Sequence, residues 1–215
     1  MLNNAVLVDP VLDLLKKVKA VYIDDHFVLT SGKHGSVYVN KDAMYQHPQE
    51  TTLVCRMFAE RFQDTDIDVV VGPAVGGIVL AQWTAYHLTQ LKGKEVLGVY
   101  TEKDADKNQV FTRGYDVLVK NKKILVVEDI ATTGGSVIKV IDSVRRAGGK
   151  VVAVVVMVNR NPDMVTSETI GAPFSALCVL KAEAFDEKDC PMCKEGLPIN
   201  TTVGHGKKYL EAHKK

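Results

Sequence analysis

The residues best equipped for chemistry lie in one run, Ile124-Leu125-Val126-Val127-Glu128-Asp129-Ile130-Ala131-Thr132-Thr133-Gly134-Gly135-Ser136. Four apolar residues read as a buried strand. Two adjacent carboxylates follow, then a stretch of small hydroxyl and glycine residues. Behind them Val137, Ile138, Val140, Ile141 and Val144 recur at helical spacing as far as Arg145-Arg146-Ala147-Gly148-Gly149. Such a loop places hydroxyls and unpaired N–H groups at a helix N-terminus, where a phosphate is favoured by those donors and by the helix dipole. The acidic pair repels phosphate and suits sugar hydroxyls or a magnesium ion, which prefers carboxylate and water oxygens. A plain strand-to-helix turn also uses glycine and threonine, but it gives no reason for two like charges side by side. The run is not a Walker loop, because no lysine follows the glycines, and its glycines lack the dinucleotide spacing.

Other groups could join this chemistry. Gly72-Pro73-Ala74-Val75-Gly76-Gly77 sits between a valine strand and a helix. Glycines there let the backbone approach an anion and offer it N–H donors, although a tight turn alone would look the same. Arg160 follows an apolar strand and can hold a carboxylate through two parallel hydrogen bonds, which lysine does less well. Lys103, Lys107 and Arg113 supply cations in a polar, poorly periodic stretch, 101–121. Cys190-Pro191-Met192-Cys193 lacks the second pair that makes a zinc site convincing. His205 or Cys178 could complete it, and two reduced structural thiols are the favoured alternative.

Positioning these groups falls to alternating helices and strands. Asp9-Pro10 marks a helix N-terminus ahead of Val11, Leu14, Leu15 and Val18. Short strands are expected at 26–29 and 37–39, and a second helix from Pro48. A buried strand at 68–72 precedes a helix at 77–88, and another strand covers 95–100. Residues 110–118 suggest a hairpin. Strand 124–127, helix 136–147, strand 150–158 and a last strand at 175–180 complete the order. Continuous valine runs between helices imply a parallel sheet covered on both faces. Ligands of such sheets bind beyond the carboxyl ends of the strands. That edge gathers the loops after residues 72, 100, 127 and 158, with the N-terminal elements over it as a small hood.

The 215 residues allow one well-buried α/β domain, 1–215, without repeats or a low-complexity linker. The hood takes mainly 1–45 and the C-terminal segment, and the core about 48–181. A net charge of +1, from 27 basic and 26 acidic residues, gives no bulk field for nucleic acid or a membrane surface. Lys207, Lys208, Lys214 and Lys215 read as a solvated tail. No apolar run reaches a membrane span and no signal peptide opens the chain. Four cysteines in a chain of this size do not suggest a disulfide framework, so a cytoplasmic protein is expected.

Residues 124–136 resemble the phosphoribosyl-pyrophosphate (PRPP) signature of the type I phosphoribosyltransferases. The segment Leu29-Thr30-Ser31-Gly32-Lys33, with Tyr38 on the strand behind it, is similar to the hood of the orotate phosphoribosyltransferases. Arg160 falls where that family places an arginine, 31 positions beyond the second acid. The resemblance covers nearly the whole chain, including a Cys-Pro-X-Cys tail found in some members. Thr30 departs from it, standing where enteric relatives have a ligand-contacting lysine, and Gln109 stands where a histidine is usual. The resemblance implies the type I fold and transfer of phosphoribose from PRPP to orotate in pyrimidine biosynthesis, with magnesium held mainly by PRPP, near Glu128 and Asp129. It implies that Glu128, Asp129, Ile130, Ala131, Thr132, Thr133, Gly134, Gly135 and Ser136 bind PRPP, together with Pro73, Ala74, Val75, Gly76, Gly77, Lys103 and Lys107. Orotate falls to Arg160, Thr132, Lys33 and Tyr38, the last equally readable as a core aromatic. Lys103, Lys107 and Asp129 take the catalytic roles. A homodimer sharing a mobile loop across its interface is implied as well. A phosphoribosyltransferase for a purine or uracil, or a PRPP-binding regulator on this fold, are the other readings. The near-neutral charge offers no basic face for nucleic acid.

Overall fold

In the computed structural model residues 9–29 and 31–213 are described. Thr30, Lys214 and Lys215 lie outside them. Strand β6 (Lys123–Ala131) runs through the middle of a six-stranded sheet. On one side of it come β3 (Val69–Pro73), β4 (Leu97–Lys103) and the short β5 (Gln109–Val110). On the other come β7 (Lys150–Asn159) and β8 (Phe174–Val179). All neighbours are parallel except β4 and β5. A separate antiparallel pair, β1 (Val21–Val28) and β2 (His34–Val39), forms the hood.

The unbroken apolar runs follow from burial of both sheet faces, since successive strand residues point opposite ways. Val70, Leu125, Val127, Val155 and Met157 pack on α1 (Pro10–Lys17), α3 (Pro48–Arg61) and α4 (Gly76–Lys92). Val69, Val71, Ile124, Val126, Val154 and Val156 face α6 (Gly135–Arg146), α5 (Tyr115–Val119) and α7 (Ser167–Ile170). Helix α1 starts where Asp9 predicts, its carboxylate accepting from the N–H groups of Val11 and Leu12. Between hood and core, α2 (Lys41–Tyr45) is one short turn that carries two side chains to the edge of the sheet.

Three local expectations are corrected. Residues 110–118 do not form a hairpin: only Gln109 and Val110 pair with β4, and 115–119 is helical. Arg113 and Gly114 both take left-handed backbone, which ends the extension, and Val119 is buried in the core. The first hood strand starts five residues earlier than the 26–29 expectation and absorbs an irregularity between Ile23 and Phe27. The tail is folded, with α8 (Pro191–Lys194) and α9 (Gly206–Ala212), and Lys207 and Lys208 lie exposed on α9. It is tied to the hood by backbone bonds from Asn200 to His26 O and from His205 to Val28 O.

The turn from β3 into α4 is the tightest junction in the core. A Cβ on Gly72 would fall on the carbonyl of Gly77, with the Gly77 Cα at 2.8 Å. Gly72→Ala should therefore lower stability by about 1–3 kcal/mol, the usual cost of overpacking. Equilibrium denaturation measures this, and an unchanged midpoint would contradict the close approach.

Candidate active site

β3 and β6 pair only from Val69↔Ile124 to Val71↔Val126, whereas β6 stays paired with β7 as far as Ala131↔Asn159. Sheet growth also reverses here, because β4 adds to one side of β3 and β6 to the other. Beyond Val126 the edge of β6 facing β3 is uncovered, and a crevice opens at the topological switch point.

Glu128 and Asp129 sit in that crevice, 6% and 3% exposed. Strand alternation sends them to opposite faces. On the α6 side, Glu128 Oε2 accepts from Ser136 Oγ at 2.9 Å, and Oε1 accepts from the Asp129 N–H at 3.0 Å. On the α2 side, Asp129 Oδ2 accepts from Lys41 Nζ at 2.9 Å and from the Tyr45 hydroxyl at 3.0 Å. Its Oδ1 accepts from the Ile130 N–H at 2.7 Å. Burial, followed by repulsion from Asp129, pushes the Glu128 carboxyl up to about 8. Burial pulls the Lys41 ammonium down, but attraction to Asp129 more than offsets it and the net shift is upward. Burial and then the Asp129 charge hold the Tyr45 phenol far above its ordinary range.

A cavity of about 450 Å³ fills the crevice. Pro73, Ala74, Val75 and Gly76 line it from the loop after β3, and Lys103 from the end of β4. Glu128, Asp129, Ile130, Thr132 and Ser136 line it from the signature, and 38–42 from the hood. A second cavity of about 360 Å³ shares Tyr38, Val39 and Thr132 with the first and extends past Leu29 and Ser31 to Arg160, Ala182 and Ala184. Arg160 is buried enough to lower its affinity for a proton, and its Nε has no hydrogen-bond partner among the described residues. Its backbone N–H is fixed on Ala131 O at 2.8 Å. An anion-seeking guanidinium thus opens onto one chamber and an acid pair onto its neighbour.

The phosphoribosyl transferase domain family matches residues 40–169. The chain is 36% identical over 191 residues to an orotate phosphoribosyltransferase of Caldanaerobacter subterraneus, covering 89% of this chain and 94% of that one. It is 40% identical over 192 residues to one of Chlorobium phaeobacteroides, covering 88% and 92%. The chain belongs to the orotate phosphoribosyltransferase family. A crystal structure of orotate phosphoribosyltransferase from Aeropyrum pernix superposes with a TM-score of 0.60 at 26% identity, covering 78% of this chain and 92% of that one. The central, mostly parallel sheet between helices is the type I fold.

Within this family fold, the sequence-predicted residues separate. Thr132 and Tyr38 line both chambers, and the Tyr38 ring also packs 5.8 Å from Phe27, so it is both a wall and a core aromatic. Thr133, Gly134 and Gly135 form the turn into α6, with Gly134 in left-handed backbone. Ala131 is buried, and Gly77 packs against Pro73 and Gly72. The Ala74 N–H, counted on as an anion donor, is spent on Thr101 O at 2.8 Å. Lys33 does not line the acceptor chamber; its ammonium sits 3.3 Å from Asp186 in an exposed pair. Lys107 stands with left-handed backbone in the tight turn joining β4 to β5, away from both chambers. Gln109, in the usual histidine position, is buried and accepts from Thr101 Oγ1 at 2.7 Å, locking that turn. Sequence reasoning missed Lys41 and Tyr45. Lys41 stands two residues beyond the aromatic hood strand, and nothing in the sequence tied it to an acid 88 positions away.

Folding carries Glu128 from an ordinary value of 4.5 to about 8. Between those values the folded chain keeps a proton that the unfolded chain releases, so stability falls as the pH rises through the window. In Glu128→Gln that slope should disappear. Urea denaturation across the same pH range compares the two, and parallel curves would mean that Glu128 folds already ionised.

Proposed function

We propose that this chain transfers the 5-phosphoribosyl group of PRPP to orotate, giving orotidine 5′-monophosphate and diphosphate in pyrimidine biosynthesis. The single observation that carries the acceptor half is Arg160. Its guanidinium opens onto the chamber beside the acid pair, and the described residues leave its Nε without a partner. Guanidinium binds a carboxylate bidentately, and orotate is the common nucleobase bearing one. A purine or uracil would leave that buried cation uncompensated.

In the donor chamber, Glu128 and Asp129 accept the ribose hydroxyls, and the turn from Thr132 to Ser136 receives the 5′-phosphate at the start of α6. Gly76 has no Cβ because one there would strike Asp129 Oδ2 and lie 2.5 Å from the Tyr45 hydroxyl. That lack leaves room for the Asp129–Tyr45 contact against the loop backbone. Lys103 and Lys41 face the same space and offset charge that builds on the departing diphosphate. As the glycosidic bond lengthens, C1 of the ribose gains oxocarbenium character. Alignment of C1 with the acceptor, rather than a covalent intermediate, supplies the acceleration. Each acidic oxygen already accepts a hydrogen bond from the protein, so Glu128 and Asp129 suit a magnesium ion held chiefly by PRPP's own oxygens. When bound, magnesium would neutralise diphosphate charge.

Lys107 we assign to the neighbouring subunit of a homodimer, reaching that subunit's diphosphate from the β4–β5 turn. Exposed Trp83, Tyr86 and Leu91 on α4 leave apolar surface suited to such a partner. No helix among the described residues is long and apolar enough to cross a membrane, and we place the chain in the cytoplasm.

Orotate absorbance with PRPP and magnesium, run beside adenine, hypoxanthine and uracil, tests the acceptor. Turnover of a purine without orotate would overturn it. Arg160→Ala should raise KM for orotate by about 1.5–3 kcal/mol equivalent, as for a charged hydrogen-bonded pair, and spare PRPP. Equal losses for both substrates would remove Arg160 from the acceptor site. Mixing inactive Lys103→Ala with inactive Lys107→Ala should restore activity, because a mixed dimer regains one intact site if Lys107 acts across the interface. No recovery in verified mixed dimers would place both lysines in one subunit's site.

A further inference from the structure

Away from both chambers, the hood and the tail bring four metal-ligating side chains together. His26 belongs to β1, His34 opens β2, and Cys190 and Cys193 bracket the start of α8. Their ligand atoms all lie within 4.8 Å of one another. His26, His34 and Cys190 are buried and Cys193 is half-buried. Two imidazoles and two thiols converging in a largely buried cluster need a reason, because thiols are weak hydrogen-bond partners for ring nitrogens.

The distances suit one ion. Zinc bonds of about 2.3 Å to sulfur and about 2.0 Å to nitrogen, at tetrahedral angles, put ligand nitrogen and sulfur about 3.5 Å apart. Here Cys193 Sγ lies 3.2 Å from His34 Nδ1 and 3.6 Å from His26 Nε2, and Cys190 Sγ lies 3.7 Å from His26 Nε2. The two imidazole nitrogens are 2.8 Å apart, so seating an ion spreads them by about half an ångström. Outer contacts orient the set as they do in metal sites. His26 Nδ1 lies 2.8 Å from Leu197 O, and a carbonyl can only accept, so Nδ1 carries the proton and Nε2 turns its lone pair to the sulfurs. The Cys193 N–H donates to Cys190 Sγ at 3.4 Å. Polar partners of His34's ring occur only inside the cluster, since its Nε2 has none among the described residues.

We infer that His26 Nε2, His34 Nδ1, Cys190 Sγ and Cys193 Sγ form a structural zinc site that clamps the tail to the hood. Two thiolates with two imidazoles in tetrahedral array favour zinc, and four protein ligands leave no open position for catalysis. This replaces the sequence expectation of two isolated reduced thiols completed, if at all, by His205 or Cys178. The completing histidines lie more than 150 positions upstream, where a scan around the Cys-X-X-Cys does not reach. Cys178 is buried in β8 instead.

The clamp holds both walls of the second chamber. Leu29 and Ser31 lie in the loop between its two histidines, and Ala182 and Ala184 lie just before its cysteines. His34 also exchanges two backbone bonds with Phe185, each 2.8 Å. Losing the ion should therefore disturb the acceptor chamber, two of whose walls adjoin the clamp, more than the donor chamber, which meets the hood at 38–42.

The test is metal content of the full chain purified without chelator from zinc-supplemented cells. About one zinc per chain is expected, held through dialysis and released when a mercurial blocks the thiols. Cobalt substitution should give the strong visible bands of a tetrahedral site with thiolate-to-metal charge transfer. Cys193→Ser should lose the metal and Cys178→Ser keep it. If Cys193→Ser does not fold, the wild-type stoichiometry and cobalt spectrum decide alone. Metal-stripped protein should show a larger loss for the acceptor base, read as KM, than for PRPP, read by calorimetry. Trace zinc with weak octahedral cobalt bands, or equal zinc in Cys193→Ser, would overturn the site.

Discussion

Two carboxylates on adjacent residues at the end of a central strand, both nearly buried, set the terms for the rest of this molecule. Side by side in water they would be unremarkable; in the sheet they must be separated and solvated by the protein. Strand alternation does the first, sending Glu128 toward α6 and Asp129 toward α2. The second requires Ser136 on one face, Lys41 and Tyr45 on the other, and two N–H groups of the strand itself. Gly76 follows from the same demand, since any side chain there would displace the Asp129–Tyr45 contact. Even the gap between β3 and β6 serves it, because continued pairing past Val126 would close the crevice into which the acids open.

That dependence explains what could be read from the sequence. Valine runs report burial on both faces directly, so the parallel sheet and its helix layers were legible, as was the strand–acid–turn–helix order at 124–136. The side chains that neutralise Asp129 were not. Lys41 and Tyr45 reach it only because the hood folds back over the sheet, and periodicity along a chain carries no signal for a contact across 84 or 88 positions. Local backbone defeated the hairpin expectation at 110–118. The β-rich composition of Val110, Phe111, Val117 and Leu118 favours extension, but left-handed Arg113 and Gly114 turn the chain, and burial of Val119 rewards a helix. Lys33 shows the opposite limit: its motif pointed to the acceptor pocket, yet the structure puts its charge in an exposed pair with Asp186.

Donor and acceptor chambers are built from different material. The first combines strand ends of the sheet and the loop after β3 with residues 38–42 of the hood. The second borrows Leu29 and Ser31 of the hood and two alanines of the tail, and of its lining residues only Thr132 and Arg160 come from the core. Tyr38, Val39 and Thr132 belong to both and form the passage between them. A fold made this way can keep its donor chemistry while the acceptor changes, since Leu29, Ser31, Ala182 and Ala184 line the second chamber and not the first.

Separation of this kind has a mechanical cost, because hood and tail have small cores of their own. The antiparallel pair β1–β2 is two strands wide, and a two-stranded ribbon is marginal in water without further packing. Backbone bonds from Asn200 and His205 extend it, and Phe27 and Val28 give it some buried surface. Those interactions resist sliding poorly, for the tail presents irregular backbone rather than a full strand. A cluster of His26, His34, Cys190 and Cys193 fixes both segments at one point, near the walls that must not move relative to Arg160. Rigidity at that point matters more for the acceptor than for the donor. Orotate is small and flat, and an error of one ångström in its wall displaces its ring nitrogen from C1 of the ribose. The donor chamber instead takes its acid pair, Lys103 and the loop after β3 from the core, and meets the hood at 38–42.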